Sequence, residues 1–194
     1  MRYRGKKIER PTVEQIKTEI ERSKRVKTFG RTMLSTVYIL LSVAAAAILV
    51  ATLVFPVLRI YGESMTPTLK EGEIVVSLKG AELKTGDVIA FYYNNRILIK
   101  RVICGPGEWV SIDDDGVVSV NGEVIDEPYI NTRSKGICDL DMPYQVPEKQ
   151  YFVMGDERES SIDSRSSVVG CVEVSQIIGR IVFVVWPFES FGFI

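Results

Sequence analysis

The chain has 194 residues, 24 Lys+Arg against 25 Asp+Glu, and is 46% apolar, enough for a packed core and too apolar for disorder. It contains no histidine, which excludes Ser-His-Asp and Cys-His catalysis and every metal site that needs imidazole. Three cysteines, Cys104, Cys138 and Cys171, fit neither a closed disulfide framework nor a four-cysteine zinc site.

The net charge of −1 hides a division. Residues 1–31 hold 11 Lys+Arg and 4 Asp+Glu, a net of +7, leaving 13 and 21, a net of −8, for the remainder. Within this basic tail Thr12 and Gln15 have capping-box spacing, and Val13, Ile16 and Ile20 recur at helical intervals. They predict an amphipathic helix. Its basic end can rest on anionic head groups or serve only to set orientation.

Residues 32–58 carry no charge over 27 positions. A helix of that length crosses a hydrocarbon core of roughly 30 Å with some tilt. A cleaved signal peptide would have a shorter apolar core near the N-terminus, whereas here a 31-residue charged segment precedes the run. Lys24, Arg25, Lys27 and Arg31 flank it, so the positive-inside rule places the N-terminus in the cytoplasm. The expected organisation is a cytoplasmic tail (1–31), a transmembrane helix (32–58) and an extracytoplasmic domain (59–194).

Beyond residue 58 the pattern changes to short runs rich in Val, Ile and aromatics. Ile74–Leu78, Asp87–Tyr93, Ile97–Ile103, Glu108–Ile112, Val117–Val120, Tyr151–Met154 and Ile177–Trp186 read as strands separated by turn signals. Asn121-Gly122 predicts a type I′ turn to Glu123–Ile125. The fold class is therefore mainly β behind a single transmembrane helix.

Without imidazole, a base must be a carboxylate, an N-terminal amine, or a lysine that burial keeps neutral. In Ile97–Ile103, strand alternation puts Leu98, Lys100 and Val102 on one face. That makes Lys100 a candidate for desolvation, although a lysine on a solvated edge fits the same pattern. Ser64 has Gly62 two residues before it and Pro67 three after. Such a non-helical segment can present Oγ with backbone N–H groups around it, and is also an ordinary turn. The polar stretch Gly155–Arg165 is either an exposed loop or a network organising a site.

Taken in order, S-M-x-P-T-L (Ser64–Leu69), G-D-V-I-A-F (Gly86–Phe91), K-R-V-I-x-x-P-G (Lys100–Gly107) and G-D-x-R-x-x-S-x-D-S-R (Gly155–Arg165) resemble the motif set of the bacterial type I signal peptidases, in their compact Gram-positive form. Trp186-Pro187-Phe188 is similar too. The resemblance runs from the apolar span to the C-terminus, and four ordered motifs carry weight that one would lack.

The resemblance implies a serine endopeptidase with Ser64 as nucleophile and Lys100 as general base. Ser161 would hydrogen-bond and orient the amine, and Asp163, Arg165, Arg101 and Asp156 would form an ion-paired scaffold. Ser64 N–H would serve the oxyanion, and where some relatives add a serine hydroxyl two residues earlier this chain has Gly62, leaving a backbone or water donor. Glu108, Glu157 and Cys104 replace the usual Asp, Asn and Gly. The implied partners are secretory preproteins and the lipid bilayer, without nucleic acid, cofactor or metal. The implied specificity is Ala-x-Ala, with substrate added as a strand along 58–64 and 97–100. Met65, Pro67, Trp186, Phe188, Phe191 and Phe193 would line an apolar surface dipping into the bilayer, and for the four aromatics core packing is an equally good explanation. A sortase needs histidine, and a Ser-Lys repressor needs a DNA-binding domain. A catalytically silent anchored β-domain is the non-enzyme alternative.

Overall fold

The computed structural model describes residues 12–194; the first eleven residues of the expected tail lie outside them. The chain divides into two compact units, one extending to Val50 and the other comprising Ala51–Ile194. Helix α1 runs unbroken over Val13–Val54, so its 42 residues span about 63 Å at about 1.5 Å each. At its start Thr12 N–H donates to Gln15 Oε1 at 3.0 Å, one half of the expected capping box. Tail and span thus share one helix, and among the described residues it is long and apolar enough to cross a membrane.

The helix ends earlier than the charge-free run suggests. Pro56 lacks an N–H and disfavours helix at the residue before it. Val57 and Leu58, expected in the span, instead belong to strand β1 (Val57–Arg59).

The second unit is β-rich, as expected. After β1 come β2 (Ile74–Leu78), β3 (Val88–Tyr93), β4 (Arg96–Cys104), β5 (Trp109–Ile112), β6 (Val118–Val120), β7 (Glu123–Val124) and β8 (Tyr144–Gln145). β9 (Gln150–Met154), β10 (Val172–Glu173), β11 (Ile177–Trp186) and β12 (Gly192–Phe193) complete it. One sheet has the order β1-β2-β11-β3-β4-β9-β10 with β12 on β11, and a smaller one the order β7-β6-β5-β8. Asn121 and Gly122 both have positive φ, 52° and 86°, as a type I′ turn requires, and Val120 pairs with Glu123 across it.

Three apolar clusters fill the unit. Met65, Leu69, Val75 and Ile181 belong to the first, Ile103, Cys104, Phe152 and Met154 to the second, and Ile89, Phe91, Val102 and Val153 to the third. Alternation along β4 sorts its residues among them: Leu98 and Val102 pack with the third, Ile99 with the first. A register shift between Val102 and Cys104 lets Ile103 and Cys104 both enter the second. β4 also changes its pairing along its length. Residues 96–101 pair with β3, while β9 takes the other edge only from Arg101 onward.

Met65 is 2% exposed and sits in the core, which corrects its placement on an apolar surface. The aromatic residues are outside: Trp186, Phe188, Phe191 and Phe193 are all exposed. They meet edge to face with neighbours, Phe183 with Phe191 at 4.6 Å and Trp186 with Phe188 at 5.0 Å between ring centroids.

Candidate active site

Ser64 follows β1 in a tight turn. Gly62 has a φ of +80°, a conformation that favours glycine over serine, so the missing hydroxyl donor at this position has a backbone reason. Thr66 N–H donates to Glu63 O and Leu69 N–H to Met65 O, both at 2.9 Å. Met65 and Leu69, buried on the first cluster, anchor the segment.

Lys100 lies where the free edge of β4 ends, paired with Ile89 on β3. Its side chain is buried, at 3% exposure, and Nζ donates to Ser64 Oγ at 2.7 Å. Burial lowers its amine from 10.5 to about 8; Asp163 works against this, Arg165 with it, and Asp156 against it. Desolvation dominates because the ammonium loses water without gaining a direct carboxylate partner among the described residues. Two of the thiols are unsuited to nucleophilic work: burial pushes Cys104 up to about 12 and Cys171 up to about 11.

The polar stretch Gly155–Arg165 is a buried network rather than a loose loop. Asp163 accepts from Arg165 Nε at 2.8 Å and Nη2 at 2.9 Å, and from Gly155 N–H at 2.9 Å. Asp156 accepts from Arg101 Nε and Nη2 at 2.8 and 2.6 Å. Thr68 Oγ1 donates to Asp156 at 2.5 Å and accepts from Arg101 at 3.0 Å. Glu157 N–H donates to Ser64 O at 3.2 Å, so the turn holds the Ser64 carbonyl. Gly155 makes that approach possible: a Cβ there would overlap Ser161 Oγ and stand 2.5 Å from Ser64 O.

All seven expected side chains therefore gather in one neighbourhood, but not with every expected contact. Ser161 is 2% exposed, and its Oγ has no hydrogen-bond partner. The anticipated bond to the lysine is not made; Nζ donates to Ser64 Oγ. The departures at Glu157 and Glu108 are accommodated locally. Glu157 bonds through its backbone, and Glu108 receives Gly105 N–H at 2.6 Å. Arg158, Glu127 and Tyr129 join the network unexpectedly: Arg158 forks onto Glu127 with Nη2 and Nη1 at 2.5 and 3.1 Å. Arg158 stands within the last motif, but nothing in the sequence marks Glu127 or Tyr129, whose partners lie about 30 residues away.

A cavity of about 620 Å³ adjoins Ser64, walled by residues 57–62 on one side and 95–99 on the other. It lies along the edge of β4 that β9 leaves open.

A sequence model of the family described as signal peptidase, peptidase S26, matches residues 33–186. Signal peptidase IB of Staphylococcus aureus (strain COL) is 40% identical over 152 residues, covering 68% of this chain and 78% of the relative. Signal peptidase I of Bacillus caldolyticus is 34% identical over 167 residues, covering 76% and 90%. The crystal structure of a signal peptidase I from Enterococcus faecalis V583 is 29% identical, with a TM-score of 0.43, over 52% of this chain and 97% of that one. The chain thus belongs to the S26 family of signal peptidases and is a hydrolase of that family.

Proposed function

We propose that the protein is a membrane-anchored serine endopeptidase that removes N-terminal signal peptides from exported preproteins through a Ser64–Lys100 dyad. The observation that carries this reading is the buried amine 2.7 Å from Ser64 Oγ, its proton affinity reduced by desolvation to about 8. At neutral pH about a tenth of such an amine is free base, against less than a thousandth for a solvated lysine.

With Lys100 neutral, Ser64 O–H donates to Nζ and loses its proton as Oγ attacks the scissile carbonyl. The oxyanion of the tetrahedral intermediate is met by Ser64 N–H, with a backbone or water donor taking the part a side chain at Gly62 cannot. Protonated Lys100 then delivers its proton to the leaving amine, leaving an ester on Ser64. Neutral again, it activates the water that hydrolyses the ester. Ser161 Oγ, buried without a partner, is available to accept a hydrogen bond from the ammonium while it carries the extra proton. Asp156, Asp163, Arg101 and Arg165 hold the surrounding backbone in place.

Substrate enters the cavity as an added strand between residues 58–64 and 97–100, supported by the open edge of β4. Small residues at the first and third positions before the cut give the Ala-x-Ala preference. The basic flank of α1 keeps the N-terminus cytoplasmic and the β-rich unit outside. The exposed aromatics around Trp186 and Phe188 rest on the outer leaflet, where amphipathic rings are favoured.

The test is incubation of the purified full chain with a signal-peptide-bearing preprotein, followed by N-terminal sequencing of the product. Cleavage after an Ala-x-Ala segment, lost in Ser64→Ala and Lys100→Ala, is expected. Retained cleavage in either variant overturns the dyad, and an intact preprotein returns the silent β-domain.

A further inference from the structure

We propose that Glu127 and Tyr129, from the segment between β7 and β8, are positioning residues that tie the lysine strand to the turn gripping the nucleophile. The inference rests on the Ser64–Lys100 reading. Neither residue belongs to a motif that carries the chemistry, and neither lines the cavity beside Ser64.

Tyr129 covers the residue next to the base: the Arg101 guanidinium carbon sits over its ring, 3.8 Å from the centroid. Arg101 is satisfied around its edges by Asp156, Thr68 and Gly86 O. The ring therefore closes a face that no hydrogen bond can close, and a desolvated cation over an aromatic face is strongly held. Tyr129 Oη donates to Glu127 Oε1 at 3.1 Å. Glu127 also accepts both terminal nitrogens of Arg158, in a pair whose side chains are 0% and 2% exposed. Arg158 Nε in turn donates to Gly155 O at 3.0 Å.

These bonds form a closed circuit. From Gly155 it passes through Arg158, Glu127, Tyr129 and Arg101 to Asp156, the neighbour of Gly155. One arc fixes the guanidinium adjacent to Lys100, and the other fixes the turn whose Glu157 N–H holds Ser64 O. Removing the Tyr129 ring exposes the face of Arg101 to water and loosens its hold on Asp156. Both consequences favour the ammonium form of Lys100: burial weakens, and the Asp156 charge that stabilises the cation is less compensated.

The experiment uses the detergent-solubilised full chain and an internally quenched peptide with Ala at the first and third positions before its scissile bond. Rates are recorded against pH for wild type, Tyr129→Phe and Tyr129→Leu, with Ser64→Ala and Lys100→Ala as controls. Tyr129→Leu should move the acid limb upward by about one pH unit and lower kcat at pH 7 roughly tenfold, with KM unchanged. Tyr129→Phe keeps the ring face and should keep the limb. A purely structural residue would reduce the active fraction without moving the limb. A limb unmoved in folded Tyr129→Leu overturns the proposal while leaving the dyad intact; activity in either control overturns the dyad itself. Should the leucine variant not fold, Tyr129→Met, flexible enough to fill the gap but without a ring, replaces it. Failure of both to fold makes Tyr129 structural and also overturns the proposal.

Discussion

Replacing Lys100 with methionine should abolish peptidase activity and, below pH 8, stabilise the fold. A lysine buried at 3% exposure, its proton affinity brought down from 10.5 to about 8, costs about 3 kcal/mol wherever both folded and unfolded chains keep it charged, at about 1.4 kcal/mol per pH unit. The sign follows from proton counting. Between pH 8 and 10.5 the unfolded chain binds more protons at this site than the folded one, so stability rises with pH across that window. Below it the cost is complete, and above it the cost is gone. Methionine carries no charge and fills similar space, so Lys100→Met should exceed wild type by about 3 kcal/mol at pH 7. Half of that gain should be lost near about pH 9. Urea titrations of the full chain in detergent at several pH values measure this, read by tryptophan emission. Trp109 and Trp186 both lie in the β-rich unit, so the signal reports that unit alone. Wild-type and variant stabilities that run parallel from pH 7 to 10.5 would refute the desolvation argument.

Four further outcomes are expected. Peptidase rate should climb through a single acid limb near 8, the value burial gives Lys100, checked by pH profiles on a quenched peptide. Gly155→Ala forces a Cβ onto Ser161 Oγ and Ser64 O; the displaced nucleophile should cost on the order of a hundredfold in kcat, with KM little altered. Asp156→Asn strips the buried Arg101 guanidinium of its carboxylate and should destabilise the unit by about 3–5 kcal/mol in the same urea assay, whereas Glu157→Asn, where only the backbone is used, should change activity by about twofold or less.

Strands with enough residues to alternate or to accumulate Val and Ile were legible in the sequence. Those that were not are β8, β10 and β12, each of two residues, too short to display any period. β1 was hidden for another reason. Val57 and Leu58 are as apolar as the span they follow, and only Pro56 marks the change. At the site, the motifs supplied residue identities but not directions. Alternation made Lys100 a candidate for desolvation but fitted a solvated edge equally well; its burial comes with partners distant in sequence, Ile89 on β3 and the Ser64 turn, that local pattern cannot encode. Ser161 was legible as a neighbour of the lysine but not as an unpartnered hydroxyl. Glu127 and Tyr129 were invisible because a buried ion pair 31 residues apart leaves no periodic trace.

The half-paired strand β4 has one more consequence. An edge that offers backbone donors and acceptors to any extended chain does not distinguish a substrate from what remains of it after cutting. In the strand-addition reading proposed above, the upstream fragment would keep its main-chain hydrogen bonds along residues 97–100 after the cut and would leave only as fast as that ladder unzips. Turnover would then be governed by strand departure rather than bond cleavage. Severed leaders that accumulate in the membrane would compete for the same open edge as the preproteins waiting to be cut.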